Sequence, residues 1–355
     1  MSQYAHYSEM SPELAAAFAK LPPIKLIGDI QSVRDASKAM FRGTQTANAL
    51  KAILPPGREI AKLLLSGRCL MAFSDSTYSV HDYKVPVDGG EILVRGVIPS
   101  PTEGEDRTFP LLVWYHGGGF ALGNIYQDDT ILRALSVNQR ISTLNVQYRL
   151  APENPFPSGH DDCYYALKWA AENASLLKAS IDKGFVAAGV SAGGNLAGSV
   201  ALRAAEDPFF EGRQLTGQCL QVPGVVHPDA LPEKYKSEFL SFEQIKDVPI
   251  FEKAVILQFY EWLGAPAEHP HFSILLHPAH TKAPATYIQI AGLDPLRDGG
   301  ILYAKVLEEA GVKVQYDVYA GLPHGGHHVF PTLEASIKFQ ADFLSHLPWL
   351  FKGGK

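Results

Sequence analysis

From residue 111 onward the chain repeats one arrangement: a short apolar run rich in β-branched residues, then a stretch of helical periodicity, then another apolar run. The runs cover residues 111–115, 142–148, 185–190, 219–222, 285–291 and 312–319. Apart from 312–319, none alternates strictly between apolar and polar positions, as a strand with one wet face would. Such runs suit strands covered by helices on both faces. The pattern therefore predicts an α/β fold built on a mostly parallel sheet of about eight strands, flanked by helices. Ligand chemistry in such a sheet gathers beyond the carboxyl ends of the strands.

Upstream the pattern differs. Val80 to Val87 and Ile92 to Ile98 flank Asp88-Gly89-Gly90, a strand–turn–strand signal that opens the sheet with an antiparallel hairpin. Before residue 78 the sequence reads as helical, with Ser11 as N-cap and Pro12 in the first helical position, then patterns over 31–50 and 57–71. We assign residues 1–77 to an N-terminal helical cap region and 78–355 to the core. A stretch at about 225–265, rich in aromatics and ending in a helical pattern over 251–263, is too long for a plain connection and reads as a cap-like insertion.

Composition narrows the functional classes. With 46% hydrophobic and 19% charged residues the chain can bury a large core. The net charge of −6 and the lack of Lys/Arg runs argue against nucleic acid and anionic membrane partners. There is no secretory leader pattern and no apolar run long enough for stable membrane insertion, so the expectation is a cytoplasmic enzyme. Cys69, Cys163 and Cys219 form no C-x-x-C pair and read as free buried thiols, with neither metal nor cofactor implied. The sequence carries no signal of oligomeric state.

Gly189-Val190-Ser191-Ala192-Gly193 matches G-x-S-x-G, placed between a strand and a small-residue helix as that motif requires. A serine hydroxyl is barely ionised at neutral pH, so Ser191 as nucleophile needs a base, and the base needs an acid to fix its tautomer. Asp294 and His324 each follow an apolar run, in the chain order serine, acid, histidine. Asp298, which reads as a charge in the first turn of the next helix, competes as the acid; His327 and His328 compete as the base. His116-Gly117-Gly118-Gly119-Phe120 follows a strand, and its glycines can bring bare N–H groups to an oxyanion. Gly118, Gly119 and Ala192 are the candidate donors, and His116 reads as a brace for that loop. Phe120, Val190, Phe239, Phe251 and Phe259 are candidate walls of the substrate pocket, with Phe242, Tyr260 and Trp262 in the same aromatic stretch.

These motifs, with Tyr148-Arg149-Leu150-Ala151-Pro152-Glu153 and Asp294-Pro295-Leu296-Arg297-Asp298, resemble the hormone-sensitive lipase family of α/β-hydrolases in order and content. The resemblance implies the α/β-hydrolase fold and a carboxylesterase-type serine hydrolase. Its roles fall on Ser191 as nucleophile, Asp294 as acid, His324 as base and Gly118, Gly119 and Ala192 as oxyanion donors. It also makes Arg149 and Glu153 a structural polar pair beneath the site. The chain departs from the family at Val190, where Asp is usual, and after His324, where Gly325-Gly326-His327-His328 replaces an aromatic. The expected substrate is a small or medium ester, such as an acetylated aromatic or polyketide-like metabolite, as in fungal biosynthetic esterases. Lactone, amide or acyl-transfer chemistry would use the same triad, whereas a ligand-binding pseudoenzyme would carry a broken one.

Overall fold

The computed structural model describes residues 3–20, 26–42, 77–245, 248 and 251–355. Strands β1 (Tyr78–Val87), β2 (Gly90–Pro99), β3 (Leu111–Tyr115), β4 (Ser142–Gln147), β5 (Phe185–Val190), β6 (Gly217–Gln221), β7 (Ala285–Leu293) and β8 (Val314–Pro323) form one sheet. Its order is β1-β2-β4-β3-β5-β6-β7-β8. β1 and β2 pair antiparallel through the expected hairpin, β2 meets β4 antiparallel, and every later pairing is parallel.

The central strands β3 to β7 are buried on both faces, which is why they lack a polar alternation, whereas the edge strands β1 and β8 are partly exposed. Leu111, Val113 and Tyr115 of β3 join one apolar cluster, while Leu112 and Trp114 point into another on the opposite face. Helices close these faces and the carboxyl edge: α1 (Pro12–Phe18), α2 (Ile30–Arg42), α3 (Asp129–Asn138), α4 (Ser158–Glu172), α5 (Ala192–Ala204), α6 (Ser241–Gln244), α7 (Lys253–Leu263), α8 (Arg297–Glu309), α9 (Gly326–Val329) and α10 (Glu334–Phe351). Phe339, Phe343, Leu347 and Leu350 of α10 fill the second cluster at helical spacing. Among the described residues no helix is long and apolar enough to cross a membrane.

The N-terminal segment packs over the carboxyl edge of this sheet. Ser11 caps α1 by accepting from the Leu14 N–H at 3.1 Å, with Pro12 in its first turn as the sequence predicts. Leu14, Leu26 and Val33 share a third apolar cluster with Val255 and Phe259 of α7. Arg34 of α2 donates to the Ala121 and Ala151 carbonyls and forms a forked pair with Glu153. The helical pattern expected over 31–50 is seen as Ile30–Arg42; its remainder, the pattern at 57–71 and Cys69 lie outside the described residues. Cys163 and Cys219 are free and buried.

Candidate active site

At the end of β5 the chain turns into α5 within one residue. Ser191 makes that turn at φ 58° and ψ −115°, a region that L-residues rarely occupy. The bend brings α5 against the end of β3. A Cβ at Gly193 would collide with the Tyr115 carbonyl and approach His116 O to 2.6 Å. A Cβ at Gly189 would strike the Gly193 backbone in turn. The two glycines of the motif are therefore requirements of close backbone approach, and Ser191 is forced outward at the amino end of α5.

Ser191 Oγ lies 2.7 Å from His324 Nε2, and His324 Nδ1 lies 2.7 Å from Asp294 Oδ2. β7 and β8 deliver the second and third of these groups at their carboxyl ends, as the strand pattern predicts. Asp294 is 1% exposed, and its other oxygen accepts the Leu296 N–H at 2.9 Å, which fixes the carboxyl plane. His324 is 5% exposed, with the Phe251 ring edge-on at 5.0 Å. The competing histidines lie elsewhere. His327 turns into the core and stacks on Phe339, where burial holds its ring nitrogens well below their usual basicity. His328 faces Asp128 at 3.7 Å.

Asp298 does occupy the first turn of α8, but its part is larger than a helix-terminal charge. Its carboxylate pairs with Arg297 Nε at 2.8 Å and accepts the Leu240 and Ser241 N–H groups at 2.9 and 2.7 Å. Ser241 Oγ donates to the Pro295 carbonyl, one residue beyond Asp294. Arg297 reaches Gly292 O and Ser8 Oγ. This buried knot joins the acid-bearing loop, the start of α6 and the chain's N-terminal turn.

Before α3, the glycine loop after β3 runs beside Ser191 with Gly118 at φ 122° and Gly119 at φ 59°. A side chain at Gly119 would drive into the Phe259 ring. Among the described residues the N–H groups of Gly118 and Gly119 donate to no backbone carbonyl. Ala192 is the first residue of α5, where the N–H has no intrahelical acceptor. His116 braces this loop as the sequence suggests: it is fully buried, stacks on Tyr148 at 4.2 Å, and bonds Gly117 O through Nδ1. The resemblance-based pairing of Arg149 with Glu153 is not what forms. Arg149 forks onto Asp162 of α4, and Glu153 takes Arg34. Both partners lie outside the Tyr148–Glu153 motif, Asp162 on α4 and Arg34 on the N-terminal helix α2, so local spacing could not reveal them.

A cleft enclosing about 380 Å³, the solvent at its open mouth included, lies at Ser191 and His324. Gly119, Phe120, Ala192, Gly224, Phe251, Ile256, Phe259, Tyr260 and Leu296 complete its wall. Of the sequence-predicted wall residues, Phe120, Phe251 and Phe259 belong to it, and Val190 and Phe239 do not. Val190 precedes Ser191 on a strand, so its side chain takes the opposite face and joins the cluster of Trp114 and Phe339. Phe239 stacks on Phe242 and lies against Gly299 of α8. Gly224, Ile256 and Leu296 escaped the sequence reading. Ile256 had a usable signal, being three and four residues before Phe259 and Tyr260 on one helix face.

Comparison with known proteins agrees with this fold. A family model described as the alpha/beta hydrolase fold matches residues 112–328. An AB hydrolase superfamily protein of Schizosaccharomyces pombe is 34% identical over 274 residues, 77% of this chain and 80% of that protein. Versiconal hemiacetal acetate esterase of Aspergillus parasiticus is 31% identical over 276 residues, 76% of this chain and 84% of the esterase. The crystal structure of vibralactone cyclase matches with a TM-score of 0.88 at 35% identity, covering 98% of this chain and 96% of that one. The matched family segment spans more than half the chain and contains Ser191, Asp294 and His324, so this protein belongs to the hormone-sensitive lipase-like branch of the alpha/beta hydrolases and is a hydrolase.

Proposed function

We infer that this protein hydrolyses carboxylic esters through an acyl-enzyme on Ser191. The observation that carries the reading is the unbroken chain of two 2.7 Å contacts from Ser191 Oγ through His324 to Asp294. His324 Nε2 takes the hydroxyl proton as Oγ attacks the ester carbonyl, and Asp294 holds the tautomer and stabilises the imidazolium. The developing oxyanion is met by the N–H groups of Gly118, Gly119 and Ala192, each donor of this kind contributing about 10²–10³ in rate. His324 then passes its proton to the leaving alcohol. A water, activated by the same imidazole, releases the acid and restores Ser191.

The substrate is a small or medium ester with an apolar body, in keeping with the aromatic wall of the cavity. Residues 1–77 and the insertion at about 225–265 act together as a cap over the cavity. Their shared apolar cluster, Leu14, Leu26 and Val33 with Val255 and Phe259, supports that assignment. The likeness to an acetate esterase supports hydrolysis. The likeness to a cyclase supports a second reading, in which a hydroxyl of the acyl group itself replaces water and closes a lactone.

Fluorophosphonate labelling and turnover of p-nitrophenyl esters of increasing chain length test the proposal. Wild type should label and turn over, Ser191→Ala should do neither, and Asp294→Asn should lower kcat by about 10⁴ through the wrong histidine tautomer. Labelling that persists in Ser191→Ala defeats the assignment. Product masses separate the readings, since lactone formation adds no water.

A further inference from the structure

The wall of the cavity divides sharply by chemistry. Among the described residues it carries no Asp, Glu, Lys or Arg, and its side-chain polar groups are Ser191, His324 and Tyr260. Ser191 and His324 are bonded to each other. The Tyr260 hydroxyl has no hydrogen-bond partner among the described residues.

Its position is fixed by packing. Tyr260 follows Ile256 and Phe259 on the cavity face of α7, and its ring is held edge-on by Phe272 at 5.0 Å and flanked by His227 at 5.4 Å. Burial and the nearby Asp294 carboxylate push the phenol above its usual range, so it stays a neutral O–H donor. The space beside the hydroxyl is kept open by a single residue: a Cβ at Gly224 would stand 2.8 Å from the Tyr260 oxygen. Gly224 is held in place because Asn195 Nδ2 donates to its carbonyl at 2.7 Å.

Resting on the ester-hydrolase reading above, we propose that Tyr260 is a specificity-determining residue, and that the substrate is an uncharged ester whose apolar, ring-bearing body carries a hydroxyl, carbonyl or ether oxygen bonded by the Tyr260 hydroxyl. A charged body would lose its hydration against Phe120, Phe251, Phe259 and Leu296 with no countercharge to replace it. An entirely apolar body would leave the phenol unsatisfied. Flat rings match the aromatic walls in an edge-to-face or offset manner.

Two matched series of aryl and alkyl esters test this, one with a single oxygen added to the acyl side and one with it added to the alcohol side, each against its deoxygenated partner. For wild type, kcat/KM should favour the oxygenated member of one series by roughly five- to tenfold, mostly in KM, the size expected of one neutral hydrogen bond. That ratio should fall toward one in Tyr260→Phe, which keeps the ring and its packing. Gly224→Ala, which crowds the hydroxyl and closes the space beside it while keeping the phenol, should shrink the ratio as well. The series that responds tells which side of the scissile bond faces Tyr260. A wild-type ratio near one in both series, or one that survives unchanged in Tyr260→Phe and Gly224→Ala, overturns the assignment while leaving ester hydrolysis intact. Failure of wild type on every ester overturns the underlying reading instead.

Discussion

Arg297 and Asp298, neighbours in the chain, form an ion pair with Nε and Oδ1 2.8 Å apart in which neither side chain touches solvent. Arg297 spends another donor on Gly292 O, and Asp298 spends its remaining acceptor on the Leu240 and Ser241 amides. Breaking such a pair strands a buried charge, which costs about 3–5 kcal/mol. Asp298→Asn should therefore lower the unfolding free energy by roughly 3 kcal/mol, not by the 1 kcal/mol or less expected of a helix-terminal charge. Asp294→Asn should leave the denaturation midpoint near wild type. Urea titrations of both variants check the contrast, and equal stability losses would contradict it.

Ser191 offers a test of backbone strain that is independent of chemistry. At φ 58° and ψ −115° a glycine is at ease and an alanine is not. Ser191→Gly and Ser191→Ala should both be inactive, yet the glycine variant should be the more stable by about 1 kcal/mol, strain relief exceeding glycine's extra unfolded-state entropy. Denaturant midpoints decide it; equal or reversed values would mean the turn relaxes without cost.

The N-terminal segment is tied to the catalytic edge of the sheet. Ser8 bonds the Gly292 carbonyl and receives Arg297, next to the loop that carries Asp294. Leu14 and Val33 are 1% and 0% exposed, and each is worth about 1.5–3 kcal/mol of burial. Deleting residues 1–42 should thus lower Tm by several degrees and kcat along with it, in addition to changing chain-length preference. A truncated protein with unaltered melting and altered preference would restore the simpler view of a detachable lid.

The parts legible in the sequence share one property: each is set by a few consecutive residues. The runs at 111–115 and 185–190 coincide with β3 and β5, and the turn at Ser191 is written in Gly189 and Gly193, whose roles are steric. Asp294 and His324 were placed by following their strands to the carboxyl edge. What stayed hidden was partner choice across long loops. Arg149 could equally have met Glu153, four residues away, and meets Asp162; Glu153 meets Arg34, 119 residues earlier. Val190 was misplaced because an apolar residue beside a nucleophile looks like pocket until the alternation of β5 assigns it to the other face. Leu296 lines the cavity through the turn after Asp294, a geometry that no periodicity records.

His160 makes acid stability measurable. It is 1% exposed, stacked against Phe120 at 5.5 Å, with Nε2 facing Asn195 Oδ1 at 3.3 Å. Burial lowers its pKa to about 3, the Arg203, His271 and His269 charges add to that effect, and the bond to Asn195 opposes it. The unfolded chain binds a proton at this residue near pH 6.5, and the folded chain does not until far lower pH. A folded-state pKa below the unfolded one means that the stabilisation is fully present above about pH 6.5 and is lost as pH falls from there toward 3. Across that window His160 alone should contribute a slope of about 1.4 kcal/mol per pH unit. His271, lowered to about 4 by burial, acts in the same direction. His160→Gln keeps an N–H donor for Asn195 but takes up no proton on unfolding. Unfolding free energies measured in urea from pH 7 to pH 4.5 should therefore fall less steeply for this variant than for wild type, by about one proton's worth. Parallel pH profiles for the two proteins would mean that His160 is protonated in the native state and that the neutral, buried histidine behind Phe120 is wrong.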